Sequence, residues 1–213
     1  MTTPPEQSRQ LEQWRGAFGH DYRERNQVTE KRLHERVKVW ARVLGCMDGA
    51  PPQSILEVGA NVGLVMRALR RLTDAELFAV EPNAESRQRL VTDGVLPATH
   101  ALDGFAAHIP LPDKAVDLAF TSGVMIHIHP DHLLASCKEI HRVSRRYIAC
   151  IEYFSDKPET IHYRGHDDLL FKRDFGGFWM DNFSDLQVVD YGFFWKRLTG
   201  LDNPTWWVFE KRM

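Results

Sequence analysis

The apolar positions in the first quarter of the chain recur at helical spacing. Over residues 12–26 they fall every three or four positions, which predicts an amphipathic helical segment interrupted around Gly16 and Gly19. A second helix is predicted over residues 29–44, with an apolar stripe formed by Leu33, Val37, Trp40 and Leu44. We expect residues 1–50 to form a helical extension that caps the rest of the molecule.

From residue 54 onwards the pattern changes to short apolar runs that alternate with amphipathic stretches. This alternation predicts an α/β fold in which a parallel sheet carries helices on both faces. Predicted strands cover residues 54–58, 76–80, 97–102, 115–121 and 146–153, and predicted helices cover residues 63–71, 84–92 and 131–142. Two more runs, at 186–194 and 205–210, complete a Rossmann-like sheet of seven strands in one domain, residues 51–213.

The loop after the first predicted strand has the composition of a nucleotide-binding turn. Gly59, Asn61 and Gly63 lead into the next helix, and glycine and asparagine are the residues that best tolerate a positive φ. Glu81 closes the second predicted strand, at the place where acidic residues of dinucleotide folds accept ribose hydroxyls. We therefore expect a nucleoside to bind across the ends of these two strands.

Glu57 indicates which nucleoside this is. It lies within the first predicted strand, where its carboxylate would repel a pyrophosphate. It suits a cationic cofactor, because it could hold the amino end of S-adenosylmethionine near the sulfonium charge. The string from Glu57 to Gly63, together with Glu81, resembles the first two motifs of class I S-adenosylmethionine-dependent methyltransferases. The alternative is a structural strand-turn-helix unit with an accidental acid.

The end of the third predicted strand adds a further candidate. Asp103 could accept the amino group of adenine and Phe105 could cover the purine face, although an Asp-Gly pair is also a common plain turn. The predicted cofactor contacts from these strand ends are Glu57, Gly59, Asn61, Gly63, Glu81, Pro82, Asp103, Gly104, Phe105 and Ser122.

Candidate catalytic residues follow the fourth and fifth predicted strands, because ligands of open α/β sheets bind at the carboxyl ends of the strands. Methyl transfer to a hydroxyl requires alignment and removal of a proton, which a histidine can perform. In an extended segment His127 and His129 point to opposite sides, so we expect His127 to face the cofactor and His129 the substrate channel. Each could equally be a packed or capping histidine.

Glu152, after the fifth predicted strand, is the third catalytic candidate. Together with His166 and Asp168 it could bind Mg2+, which would lower the pKa of a hydroxyl, although solvated acids are the commoner meaning of such residues.

Residues 154–185 are too long and too mixed for an ordinary connector, and they predict an active-site lid. Its aromatic residues could contact the C–H edges of a polyhydroxylated ligand or pack the segment onto the sheet; they include Phe171, Phe175, Phe178 and Trp179. The predicted substrate contacts are Tyr153, Tyr163, Arg164, His166, Lys172 and Arg173.

The composition restricts the classes of partner. A formal net charge of −2 does not favour long nucleic acid or an anionic membrane as a partner. No apolar run is long enough to span a membrane and no targeting leader is recognisable, so a cytoplasmic location is expected. Cys46, Cys137 and Cys150 lack the spacing of a metal or disulfide motif. A homodimer remains possible.

From Trp14 almost to its end, the chain resembles the pseudaminic-acid-biosynthesis-associated methylases. The similarity lies in residues 18–22 with Arg25 and Asn26, and in residues 123–131, 151–154, 163–166, 170–176, 190–193 and 195–197. The resemblance implies a sugar-modifying enzyme in which Tyr22, Arg25 and Asn26 close over the methionine carboxylate of the cofactor. An arginine-rich composition would also fit a sugar O-methyltransferase of methylmannose polysaccharide biosynthesis.

The leading hypothesis is an S-adenosylmethionine-dependent transferase that methylates a hydroxyl of a sugar or small oligosaccharide. One alternative is N-methylation of an amino sugar or small amine, which depends on desolvation and alignment more than on a base. Another is a non-catalytic protein that binds the cofactor without turnover.

Overall fold

The computed structural model describes residues 8–212 and begins with three helices. Helix α1 covers Arg9–Arg15 and α2 covers Ala17–Arg25, so the predicted segment is broken at Gly16. Helix α3 covers Glu30–Gly45. Thr29 caps it, because its hydroxyl accepts a hydrogen bond from the backbone N–H of Arg32 at 3.3 Å. Residues 1–7 of the predicted extension lie outside the described residues.

Within residues 8–212, nine strands follow. They are β1 (Ser54–Val58), β2 (Glu76–Val80), β3 (Ala101–Leu102), β4 (Val116–Ser122), β5 (Ser144–Glu152), β6 (Glu159–Thr160), β7 (Phe171–Lys172), β8 (Leu186–Phe193) and β9 (Thr205–Lys211). Seven form one sheet in the order β3-β2-β1-β4-β5-β9-β8, while β6 and β7 form a separate hairpin. Strands β1 to β5 are parallel, and β9 runs antiparallel to both neighbours. The predicted seven-stranded α/β sheet is confirmed.

The helices that follow α3 cover the two faces of the sheet. They are α4 (Leu64–Leu69), α5 (Ala84–Thr92), α6 (Pro130–Val143), α7 (Phe175–Asn182) and the single turn α8 (Lys196–Thr199). One apolar core lies between the sheet and α3, α4 and α5, and the other lies between the sheet and α6 and α7. Because helices cover both faces, all five residues of β1 are buried.

Helix α3 is part of the main core rather than of a separate cap. Trp40 is fully buried, and its ring centroid lies 4.2 Å from that of Phe120 on β4. The buried stripe of α3 differs from the predicted one, since Val37 and Leu44 are only partly buried; it consists of Leu33, Val39, Trp40 and Val43. Only α1 and α2 therefore remain as a cap.

Two predicted segments differ from the observed structure. Residues predicted as the third strand form a 3-10 turn at Ala98–His100 before the short β3. The predicted lid does not extend to residue 185, because Phe175 and Trp179 are buried and place α7 in the core. Those two aromatic rings pack the helix onto the sheet and are not available to a ligand.

None of the helices within residues 8–212 is both long and apolar enough to cross a membrane.

Candidate active site

A cavity of about 200 Å3 lies at the carboxyl ends of the central strands, beneath α1 and α2. Its sheet side follows β1 and β2 and includes Glu57, Gly59, Ala60, Asn61, Glu81 and Pro82. Its helical side includes Gln10, Leu11, Trp14, Tyr22, Arg32 and Arg36. The end of β4 contributes Ser122, and α6 contributes His132 and Ser136. The loops that close the cavity contribute Phe105, Ala106, Ala107, Val124, His127, Ile128 and His129.

The turn after β1 has the backbone conformation that its composition predicts. Gly59, Asn61 and Gly63 have φ values of 79°, 48° and 74°. A Cβ at Gly59 would lie 2.6 Å from Cγ2 of Val124, so a side chain there would be both strained and obstructed. The prediction of a positive-φ loop is confirmed, and its bare backbone lines the cavity at Gly59.

Glu81 fixes this turn and still faces the cavity. One carboxylate oxygen accepts the backbone N–H of Asn61 at 2.7 Å, and the other accepts that of Asn83 at 2.9 Å. Burial raises the pKa of Glu81, and the two N–H donors act against this rise. Each carboxylate oxygen can accept a second hydrogen bond, so the side chain retains capacity for two hydroxyl donors.

Glu57 is a buried acid at the end of β1. Its Oε2 atom accepts no hydrogen bond from the residues that the structure describes, although the side chain lines the cavity. Burial raises the pKa of Glu57 well above its usual range, and the nearby Glu81 adds to the effect. An unsatisfied buried carboxylate is costly unless a ligand completes it. The site therefore favours a hydrogen-bond donor, and a cation most of all.

His127 lines the cavity as a neutral imidazole. Its Nδ1 is hydrogen-bonded to the carbonyl oxygen of Leu169, which can only accept, so Nδ1 carries the proton. Nε2 is then the nitrogen with a free lone pair. Burial lowers the pKa of His127 to about 4, and the bond to Leu169 only partly opposes this. The rings of Trp14 and Tyr163 lie with their centroids 4.9 and 5.6 Å from the imidazole.

The prediction assumed that the segment with His127 is extended, but it is not. Met125–His127 form a 3-10 turn, and both His127 and His129 line the cavity. His129 also caps α6, because its Nδ1 accepts the backbone N–H of Asp131 at 3.3 Å. Which of the two histidines faces the cofactor and which the substrate channel stays a prediction, and the capping alternative applies to His129.

Glu152 lies beneath the loop that follows β4 and does not line the cavity. Its carboxylate is fully buried and accepts the backbone N–H groups of Val124 at 3.2 Å and Ile126 at 3.4 Å. Burial raises its pKa to about 7. The structure places it as a support for the loop that carries His127.

Several predicted cofactor contacts lie outside the cavity. Asp103 is exposed and pairs with Arg87 at 2.9 Å, and the buried Gly104 packs against the carbonyl of His108. Arg25 is exposed, with its guanidinium 5.9 Å from the ring centres of Phe18 and Tyr22.

The predicted substrate contacts surround the cavity without lining it. Tyr163 packs between Phe18 and His127. His166 packs against Phe18, with the two ring centroids 5.7 Å apart. Lys172 lies over Tyr153, and Arg173 lies over Phe178. Arg164, at φ 51°, lies over Tyr163. The segment from residue 153 to 174 thus supports α2 and His127 from outside, so a role in binding substrate stays a prediction.

The predicted Mg2+ site is wrong. Among residues 8–212, no group of three or more His, Cys, Asp or Glu side chains is placed to bind a metal ion. Glu152 is engaged with the backbone of the loop after β4, whereas Asp168 pairs with Arg9 at 3.2 Å and His166 packs against Phe18. The three side chains belong to different environments.

The sequence reasoning missed several residues of the cavity. The most important is Arg36, and the others are Trp14, Arg32, His132 and Ser136. The helical periodicity of α3 was visible, but it did not show which polar face would reach the strand ends. His132 and Ser136 are one turn apart on α6, a spacing that could have indicated a shared face.

Comparisons with known proteins agree with this geometry. Residues 56–147 match a family model described as a methyltransferase domain. A search of curated proteins gave no significant match. A structure of 1,6-didemethyltoxoflavin-N1-methyltransferase from Burkholderia thailandensis, with bound 1,6-didemethyltoxoflavin and S-adenosylhomocysteine, is similar over 100% of this chain and 92% of its own, with a TM-score of 0.72 and 16% identity.

Two further structures are similar. A SAM-dependent methyltransferase from Leishmania major has a TM-score of 0.73 at 16% identity, over 96% of this chain and 87% of its own. One from Aquifex aeolicus has a TM-score of 0.56 at 17% identity, over 75% of this chain and 82% of its own. At such identities the similarity shows the fold, which is that of class I methyltransferases. Together with the methyltransferase-domain match over residues 56–147, this fold indicates S-adenosylmethionine as the candidate cofactor of the cavity.

The residues of the cavity fit this cofactor. The unpartnered oxygen of Glu57 suits its cationic amino group, and the spare acceptor capacity of Glu81 suits the ribose hydroxyls. The turn at Gly59 exposes backbone that a side chain would block. Phe105 lines the cavity with a flat apolar ring of the kind that stacks on a purine.

Proposed function

We propose that this methyltransferase acts on a hydroxyl group of a sugar or small oligosaccharide. The observation that carries the proposal is His127, a neutral imidazole at the cavity whose Nδ1–H is committed to Leu169. Its Nε2 lone pair is available to accept the O–H of an acceptor and to orient the oxygen for in-line attack.

Bound S-adenosylmethionine supplies a methyl group on a positively charged sulfur. The methyl carbon–sulfur bond would break as the bond from the acceptor oxygen to the methyl carbon forms, and S-adenosylhomocysteine would leave. His127 would accept the hydroxyl proton at Nε2 and later release it to solvent. The low pKa of His127 means that the nitrogen is unprotonated at neutral pH, and also that it is a weak base. We therefore expect proton transfer to occur late, when the oxygen has become acidic.

The surroundings of His127 suit a carbohydrate. Trp14 presents an aromatic ring to the cavity, and such rings pack well against the C–H faces of sugars. His129, His132 and Ser136 lie on the adjoining wall and bring hydrogen-bonding groups to the same cavity. This combination of one apolar face with several polar groups suits a polyhydroxylated acceptor.

The experiment is methyl transfer from labelled S-adenosylmethionine to a panel of sugars, oligosaccharides and amines, with products identified by mass. We expect a methyl ether on a hydroxyl. His127→Gln can still donate to Leu169 but cannot take up a proton, so its kcat on that acceptor should fall by roughly 100-fold. Affinity for S-adenosylhomocysteine should not change.

His34→Gln is the matched control, because His34 is exposed on α3 and does not line the cavity. It should retain wild-type turnover. Transfer to amines alone, or full hydroxyl methylation by His127→Gln, would contradict the proposal.

N-methylation of an amino sugar or small amine is the second candidate, and the same histidine favours it. A neutral amine attacks without a base, so the weak basicity of His127 would limit it less. The similar protein from Burkholderia thailandensis is named an N1-methyltransferase. In that case His127→Gln should change kcat on the amine by only a few-fold. The same assay of labelled methyl transfer measures this change.

A further inference from the structure

The cavity is lined by one acidic and one basic side chain that form no ion pair or hydrogen bond with the other residues of 8–212. Glu57 Oε2 is buried and accepts no hydrogen bond from the described residues. Arg36 lines the same cavity and forms no ion pair or hydrogen bond within residues 8–212. The two side chains interact electrostatically but do not pair with each other.

Their placement follows from the packing of α3 on the sheet. Glu57 and Phe120 are register partners on the parallel strands β1 and β4, so their side chains point to the same face. Trp40 packs on Phe120, and Arg36 lies four residues earlier on α3, on the same side of the helix. Arg36 and Glu57 therefore extend from the packed faces of α3 and the sheet, and both side chains line the cavity.

The other arginines near α2 are accounted for. Arg32 donates to the side chain of Asn26 at 2.7 Å and to the carbonyl of Gln27 at 3.1 Å, so it fastens the connection between α2 and α3. Arg25 is exposed, lies over the rings of Phe18 and Tyr22, and does not itself line the cavity. Arg36 is therefore the arginine most available to an anion inside the site.

Burial is the largest influence on the pKa of Arg36 and lowers it, and the like charge of Arg32 adds to this. A guanidinium in such a place is stabilised by an anion that arrives with the ligand.

We propose that Arg36 binds the α-carboxylate of the cofactor's methionine moiety, opposite Glu57, which binds its α-ammonium group. The two side chains form a zwitterion clamp, because an α-amino acid carries both charges on substituents of one carbon. Arg36 replaces Arg25 in the role that the family resemblance implied. The inference rests on the cofactor part of the proposed function and not on its acceptor.

The test compares two ligands by isothermal titration calorimetry. S-adenosylhomocysteine carries the amino-acid end, whereas 5′-methylthioadenosine has the same nucleoside and thioether without it. Arg36→Met should weaken binding of S-adenosylhomocysteine by roughly 10- to 100-fold, the range for a lost charge-assisted hydrogen bond. It should leave binding of 5′-methylthioadenosine unchanged, which also shows that the cavity is still folded. Arg36→Lys should recover part of the affinity.

Arg25→Met is the matched control, and it should bind both ligands as the wild type does. The proposal is overturned if Arg36→Met weakens the binding of both ligands equally, or of neither. It is also overturned if Arg25→Met selectively weakens the binding of S-adenosylhomocysteine instead. If the wild type does not bind S-adenosylhomocysteine, the assignment of S-adenosylmethionine as the cofactor is wrong. Failure to find a hydroxyl acceptor would leave this result intact, so the two proposals fail separately.

Discussion

At the scale of single residues, the charge on Glu57 should depend on whether the cavity is filled. Burial and the neighbouring Glu81 raise its pKa, so in the free protein the carboxyl keeps its proton to a higher pH than an ordinary glutamate. An ammonium group nearby favours the carboxylate. Binding of S-adenosylhomocysteine should then release a proton, and its affinity should increase as the pH rises towards the pKa of Glu57 in the free protein.

Glu57→Gln tests this prediction. The variant keeps the size of the side chain but cannot ionise. Its affinity for S-adenosylhomocysteine should be lower by roughly tenfold or more, and it should not show the increase with pH that ionisation of Glu57 causes in the wild type. Calorimetry between pH 5.5 and 8, in two buffers of different ionisation enthalpy, measures both affinity and proton release. Equal pH slopes in the wild type and the variant would show that Glu57 does not couple to the ligand.

Local backbone requirements made some residues predictable and others not. Gly59 and Asn61 could be predicted because a positive φ is a property of the turn itself. Arg36 could not, because the direction of a polar side chain on α3 depends on how Trp40 seats on the sheet. Asp103 lies outside the cavity for a similar reason, since pairing with Arg87 on α5 draws its carboxylate to the surface.

At the scale of elements, a buried acid supports the loop between β4 and α6. Glu152 accepts two backbone N–H groups of this loop, and its pKa rises from 4.5 to about 7 on folding. Below pH 4.5 the carboxyl is protonated in both states, and above 7 it is ionised in both. Between these values only the folded protein retains the proton, so this group makes the free energy of unfolding fall as the pH rises.

Glu152→Gln removes that titration. Relative to the variant, the wild type should lose on the order of 3 kcal/mol of stability between pH 4.5 and 7, as the shift in pKa implies. Urea unfolding of both proteins at pH 5 and pH 8 measures the difference, and any constant cost of the lost acceptor cancels in the comparison. If the two proteins differ in free energy of unfolding by the same amount at both pH values, then folding does not raise the pKa of Glu152.

Elements with a strong local pattern were predicted well, and those determined by tertiary contacts were not. The ranges 54–58, 76–80 and 84–92 agree with β1, β2 and α5 to the residue. The two strands are compact apolar runs between turn residues, and the amphipathic α5 lies between the capping Asn83 and Gly94. Strand β3 is shorter than predicted because the 3-10 turn before it is held by a hydrogen bond of His100 to the carbonyl of Leu77 at 3.1 Å. The role of α7 depends on the burial of Trp179, which no local spacing reveals.

At the scale of the whole molecule, the cavity lies between two parts with different attachments. Its sheet side belongs to the main core, whereas α1 and α2 are held from outside by a few contacts. Among these, Gln10 donates to the carbonyl of Asp168, Asn83 donates to that of Trp14, and Phe18 packs on Tyr163. A ligand that touches Trp14 and Tyr22 on one side and Glu57 on the other would join the two parts.

We therefore expect cofactor binding to stabilise α1 and α2 more than the rest of the protein. Amide hydrogen exchange with and without S-adenosylhomocysteine should show slower exchange in Arg9–Arg15 and Ala17–Arg25. Strand β8 should change little and provides an internal control, because it lies at the edge of the sheet away from the cavity. The physical reason is that opening of the two helices must break the ligand contacts as well as the protein contacts, so the bound state opens less often. Equal protection of β8 and of the two helices would indicate a general stabilisation, and the two helices would then not act as a separate cover of the site.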